Sequence, residues 1–128
     1  MTPLEVVDAY NIALSKEDIP TVFSYFSPDA NWHQPGNNQF YGTKKGLDAI
    51  GTMLSDMMGA TQGTLVIKPT GAMMANGNLV SFPVRFSGKS GDKTVDMNGV
   101  DLFEVVDGKI TNVWLFSEDQ PEEDKFWS

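Results

Sequence analysis

The chain contains no cysteine. Disulfides, thiolate nucleophiles and cysteine-based metal sites are therefore ruled out, and the composition fits a reducing, cytoplasmic setting. Histidine occurs once, at position 33. Zinc or iron would need several more nitrogen or carboxylate ligands, so no metal is expected. Positive charge is scarce: 9 Lys and Arg stand against 17 Asp and Glu, a formal net charge of -8. Nucleic acid and acidic membranes repel such a surface, and neither is expected as a partner. No apolar run approaches the ~20 residues of a membrane helix. The stretch "MTPLEVVDAYNIALSKED" has no cationic start, so it does not read as a signal peptide. Phosphate loops, Gly-x-Ser-x-Gly elbows and basic aromatic patches are missing as well, and no cofactor is expected.

What is present is globular: 128 residues, 41% hydrophobic and 20% charged, which predicts one domain over 1–128. Thr2, Pro3 and Glu5 form a helix start, with a hydroxyl cap, proline in the first turn and an acid three residues on. Leu4, Val7, Tyr10, Ile12 and Leu14 follow with a roughly helical period. Asp18 and Pro20 open a second helix whose apolar face is Val22, Phe23 and Phe26, and "SPDA" ends it. Residues 30–34 read as a short strand. Thr43 is placed to cap a third helix with a stripe from Leu47 to Met58, ended by Gly59.

The remainder alternates like β-structure. Runs at 64–74, 78–87, 93–106 and 109–117 are separated by "ANGN", "SGKSGD" and "VDGK" hairpin signals. Helices first and a meander afterwards predict an α+β domain. Pro83 within a strand points to an edge or a bulge, and Gly99 is a second bulge candidate. The tail "DQPEEDKFWS" reads as a turn or two of helix capped by Asp119, with Phe126 and Trp127 docking on the body and its charges forming a solvated acidic face.

Three helices, a short strand ending in Pro35-Gly36, then long strands with "DGKI" between the last two resemble the nuclear transport factor two-like superfamily. Within it the chain is similar to the SnoaL-like and ketosteroid-isomerase-like branch. The tail residues Asp119, Gln120, Asp124, Phe126, Trp127 and Ser128 are similar to a subgroup of small SnoaL-like proteins. The resemblance implies a cone, with a strongly curved, mainly antiparallel sheet wrapped over three N-terminal helices around a pocket. It also implies a homodimer through the sheet's outer face.

Four residues are candidates for chemistry. Tyr10 matches the spacing of an isomerase tyrosine that donates to a developing oxyanion; it reads equally as a core tyrosine with its ring in the cone. Asp101 shares a strand face with Phe103 and Val105, where burial would raise its pKa and let it donate. A bulge at Gly99 would turn it to solvent instead. Asp101 resembles the isomerases' oxyanion-hole acid. Where those enzymes carry a base before the proline, this chain has Gln34, which takes no proton at neutral pH, so ketosteroid isomerase activity is not expected. His33 is the neighbouring substitute, but if Gln34 faces the pocket, alternation turns His33 away. Asp119 resembles in position an acid of SnoaL-like cyclases, and also suits a helix cap.

Trp32, Gln34, Phe86, Met97, Asn112, Trp114 and Phe116 are expected to line the cone. Two function classes stay open. One is a pocket protein for a small hydrophobic or aromatic molecule bearing a carbonyl or phenol. The other is a cofactor-independent isomerase, cyclase or lyase acting on a small ketone or polyketide-like compound.

Overall fold

The computed structural model describes residues 1–128. Three helices come first: α1 (Pro3–Ser15), α2 (Ile19–Ser24) and α3 (Leu47–Ala60), with strands β1 (Phe26–Gln34) and β2 (Gly42–Lys45) between α2 and α3. Strands β3 (Val66–Pro69), β4 (Met74–Asn76), β5 (Leu79–Ser90), β6 (Lys93–Val106) and β7 (Lys109–Ser117) follow, and α4 (Gln120–Phe126) closes the chain. The strands form one curved, open sheet in the order β2-β1-β7-β6-β5-β3, with β4 on β5. Only β1 and β7 run parallel; the other pairs are antiparallel. This is the α+β cone expected, and the short C-terminal helix expected after Asp119 is α4.

Local chemistry explains the helix starts. The Thr2 hydroxyl accepts from the Glu5 N–H while the Glu5 carboxylate accepts from the Thr2 N–H, at 3.2 and 2.8 Å. That reciprocal pair satisfies two backbone donors that a helix start leaves free. Asp18 caps α2 and Asp119 caps α4, each accepting from the N–H three residues on. The buried side of α1 is Val6, Val7, Tyr10 and Ala13; Leu4 and Ile12 are exposed instead. Between the helices and the concave face lies a core of 23 buried residues, with Phe82, Phe103, Ile50 and Ile110 fully enclosed. Each such side chain contributes about 1.5–3 kcal/mol by leaving water.

Several expectations need correcting. Phe26 does not extend α2 but begins β1, buried, and the register of β1 slips between it and Asn31, across the "SPDA" segment. Thr43 caps nothing: residues 42–45 pair with β1, and Gly46 stands at the N-cap of α3 without a side-chain bond. Gly59 remains helical; the left-handed positions after α3 are Gln62 and Gly63, whose N–H returns to the Met58 carbonyl. The 64–74 run splits into two short exposed strands, β3 and β4.

Pro83 sits in an inner strand, opposite the break between β3 and β4. Its carbonyl accepts from Thr70 N–H on that side, so the missing proline N–H falls where no strand would receive it. Gly99 makes no bulge. Its pairing with Val84 and Ser117 is continuous, and a Cβ there would lie 2.7 Å from the Phe116 carbonyl oxygen. The bulge lies on β7: Glu104 pairs with Asn112 and Val105 with Ile110, leaving Thr111 as an extra residue. One extra residue inverts every later side chain on the strand.

Candidate functional site

That inversion decides which side chains face the cone. Val113, Leu115 and Ser117 lie on the concave side, opposite Phe103, Asp101 and Gly99. Asn112, Trp114 and Phe116, expected as cone lining, therefore point to the convex side, and Phe116 is 56% exposed there. His33 joins them. It pairs with Trp114 and stacks on its ring, centroids 5.1 Å apart. Its Nε2 lies 2.9 Å from Asn112 Oδ1 and its Nδ1 3.0 Å from the Thr43 hydroxyl. Asn112 donates its amide N–H to Glu104 Oε1, so its oxygen must face His33. Nε2 therefore carries the imidazole hydrogen and Nδ1 accepts from Thr43. Hydrogen bonds from Thr111 and Asn112 hold the Glu104 carboxyl below its ordinary value.

On the concave side stand Trp32, Gln34, Phe86 and Met97, together with Tyr10 from α1. Tyr10 packs edge-on to Phe26 and tilted against Phe103, with centroids at 5.8 and 5.1 Å. Asp101 lies across β5 and β7 from Phe82 and Leu115. Burial raises its carboxyl from 3.8 to about 7. The Tyr10 phenol is also pushed up, first by burial and then by the negative charge of Asp101.

Leu115, Asp101 and Phe82 form one row across β7, β6 and β5, and Gln34 ends β1 one residue past the His33–Trp114 pair. Gln34 is buried and its Oε1 accepts the Trp32 indole N–H at 2.9 Å. No sealed side-chain nitrogen or oxygen in the chain lacks a hydrogen-bond partner. The Tyr10 hydroxyl, the Asp101 carboxyl and Gln34 Nε2 have none, so each still borders space that water reaches. Two recesses of about 560 and 480 Å³ run along α3, lined by Asp48, Thr52 and Asp56 among others, and neither is formed by these residues.

Asp119 does not reach this row; it caps α4. A second acid packed against the sheet is Glu123, which belongs to the stretch expected to be a solvated acidic face. Its Oε1 accepts from the Ser117 hydroxyl at 2.5 Å and from Gln120 at 3.0 Å, and its Oε2 from the Trp127 indole at 3.2 Å. The available signal was spacing, because Glu123, Phe126 and Trp127 share one side of a short helix. Asp124 ties that helix to the "PGNN" turn by accepting from the Asn37 N–H and the Asn38 amide, and these bonds hold its carboxyl low.

Residues 6–113 match the SnoaL-like domain family. A cystatin-like-fold protein of unknown function from Xanthomonas campestris is 42% identical, covering 100% of this chain and 99% of its own, with a TM-score of 0.95. Bal32a, from a soil-derived mobile gene cassette, is 25% identical over 98% of this chain and 96% of its own, with a TM-score of 0.91. A putative polyketide cyclase from Sinorhizobium meliloti shares the fold at 22% identity and a TM-score of 0.68, over 87% and 93% of the two chains.

Proposed function

We propose that this chain, which belongs to the SnoaL-like domain family of the nuclear transport factor two-like superfamily, binds a small hydrophobic or aromatic molecule through a carbonyl or phenol oxygen held by Tyr10 and Asp101. One observation carries the reading: two polar groups on the concave side, set among Phe26, Phe82 and Phe103, keep their hydrogen bonds unspent. Water reaches both groups, and a ligand oxygen that accepts from both replaces that water in an apolar surround. The protein works as a homodimer through the convex face, where Val100, Leu102, Trp114 and Phe116 form an apolar strip.

A second reading is a cofactor-independent isomerase, cyclase or lyase acting on a small ketone or polyketide-like substrate. It is supported by Asp101, whose carboxyl near 7 exchanges protons at neutral pH. In that reading Asp101 would move the proton and Tyr10 would hold the oxygen.

The test is titration of a nitro-substituted naphthol, ionised at pH 6 where Asp101 still carries its proton, into wild type, Tyr10→Phe and Asp101→Leu. A hydrogen bond to a charged acceptor is worth about 1.5–3 kcal/mol, so each substitution should weaken binding roughly ten- to a hundredfold. Unchanged affinity in both variants would remove the site.

A further inference from the structure

The hydrogen-bond network on the convex face holds a hydroxyl as donor to the chain's histidine. Glu104 Oε1 accepts from the Thr111 hydroxyl at 2.6 Å and from the Asn112 amide at 2.8 Å, so Asn112 offers its oxygen to His33. His33 Nε2 donates to that oxygen at 2.9 Å, which leaves Nδ1 without a hydrogen. The Thr43 hydroxyl, 3.0 Å from Nδ1, is therefore the donor. The Trp114 ring, stacked 7° from parallel, fixes the plane of the imidazole. A hydroxyl on a basic nitrogen whose far side is held by a third group is the arrangement that activates an oxygen nucleophile. β2 is an edge strand, and Thr43 and Lys45 are its two exposed side chains, on the side of His33. They border the apolar strip rather than lie in it, so the hydroxyl stays open to a small molecule. Lys45 pairs with Asn31 two residues along from the Thr43–His33 pair, about 7 Å away on the same face. The chain's two ion pairs, Arg85–Asp96 and Lys125–Glu122, leave its ammonium free.

We propose that Thr43, His33 and Lys45 form an acyl-transfer site on the convex face, taking the acyl group of a small activated ester or thioester. The site is independent of the one on the concave side. The Thr43 oxygen attacks the acyl carbonyl carbon while its proton passes to His33 Nδ1. The Lys45 ammonium, on a four-carbon stem on that face, stabilises the oxygen that gains negative charge. The carbon–oxygen or carbon–sulfur bond to the leaving group then breaks, and the leaving group takes the proton from Nδ1. The products are an acyl-threonine ester and the free alcohol or thiol. Water, deprotonated by Nδ1, later attacks that ester, releases the acid and restores the hydroxyl. Asn112 acts through His33 as a positioning residue, because it holds the imidazole hydrogen on Nε2.

The experiment incubates the chain with para-nitrophenyl acetate, follows nitrophenolate release and locates the acetyl group by peptide mass mapping. The chain has no thiol to compete for the acyl group. Wild type should carry an acetyl ester on Thr43 that hydroxylamine removes, whereas acetyl amides on lysine survive that treatment. Thr43→Val should lose the ester, and Thr43→Ser, which keeps a hydroxyl, should carry it. His33→Gln should slow acetylation of Thr43 at least about tenfold. Lys45→Met should slow it about two- to fivefold, the worth of an exposed charge pair. Asn112→Leu should slow it as well. Asn112→Asp combined with Glu104→Gln exchanges the amide and the carboxylate, still gives Nε2–H an acceptor, and should restore most of the rate. Acetyl present only as lysine amides would overturn the site, as would equal rates in wild type, Thr43→Val and His33→Gln. The position of the wild-type adduct alone identifies the nucleophile, so the test stands should a variant fail to fold.

Discussion

The imidazole of His33 lies flat on the indole of Trp114, with ring centroids 5.1 Å apart and planes 7° from parallel. This contact is on the outside of the sheet, and a chain of hydrogen bonds runs through it from Glu104 by way of Asn112 to Thr43. The chain's only histidine is thus part of a cross-strand surface network, separated by the sheet from Tyr10 and Asp101.

His33→Ala should accordingly leave naphtholate affinity within twofold of wild type while lowering stability by about 1 kcal/mol, through lost stacking and hydrogen bonding. Calorimetric titration and urea unfolding of the same preparations check both halves. A tenfold loss of affinity would place His33 in the binding site after all.

The convex apolar strip should be a subunit interface. Phe116 is 56% and Val100 39% exposed, both on that side. Light scattering is expected to give roughly twice the 14.1 kDa chain mass for wild type, and the single-chain mass for Phe116→Glu, which buries a charge in any such contact. A monomeric wild type at micromolar concentration would end this idea.

Asp101 should leave a signature in the pH dependence of stability. Its carboxyl is raised from 3.8 to about 7 by burial. Between those values the folded chain keeps a proton that the unfolded chain has released. The contribution to stability is therefore complete below about 3.8 and is lost as pH rises through 7, after which it is flat. At about 1.4 kcal/mol per unit the loss amounts to no more than about 4 kcal/mol. Asp101→Asn, which never ionises, should gain stability relative to wild type between pH 4 and pH 8. Unfolding curves of the pair at those two values check it, and a constant difference would contradict it.

Glu123 should matter more than its neighbours in the acidic tail. Its two oxygens receive three donors, from Ser117, Gln120 and Trp127. In Glu123→Gln at least one of those donors meets an amide N–H, at a cost of about 1–3 kcal/mol. Glu122→Gln, which breaks only an exposed pair with Lys125 at 3.2 Å, should cost less than about 0.5 kcal/mol. Urea midpoints of the two variants should separate accordingly.

Wild type should not isomerise a ketosteroid at an enzyme-like rate, because Gln34 is a locked amide with its oxygen already bound to Trp32. Gln34→Asp supplies a carboxylate at that place and is the comparison to run. Efficient turnover by the wild-type chain would show that another residue acts as base.

Much of this was legible in one dimension because its causes are local. Caps such as Thr2, Asp18 and Asp119 act within three residues, and hairpin turns such as Asp107-Gly108 act within two. The concave placement of Asp101 also follows from alternation along an unbroken strand, since Val95, Met97, Gly99, Phe103 and Val105 share its face. What alternation could not supply was the phase of β7. Ile110 faces the core, and simple counting would send Asn112, Trp114 and Phe116 after it. The extra residue at Thr111 exists only because β6 and β7 pair in the register they do, and it reverses the face of everything beyond. Thr43 likewise became an edge-strand partner of His33 instead of a cap, and Glu123 a buried acceptor instead of a surface charge. In each case the deciding partner is distant in sequence or supplied by packing, so only the folded sheet and its closing helix decide which groups remain unpaired on the concave side.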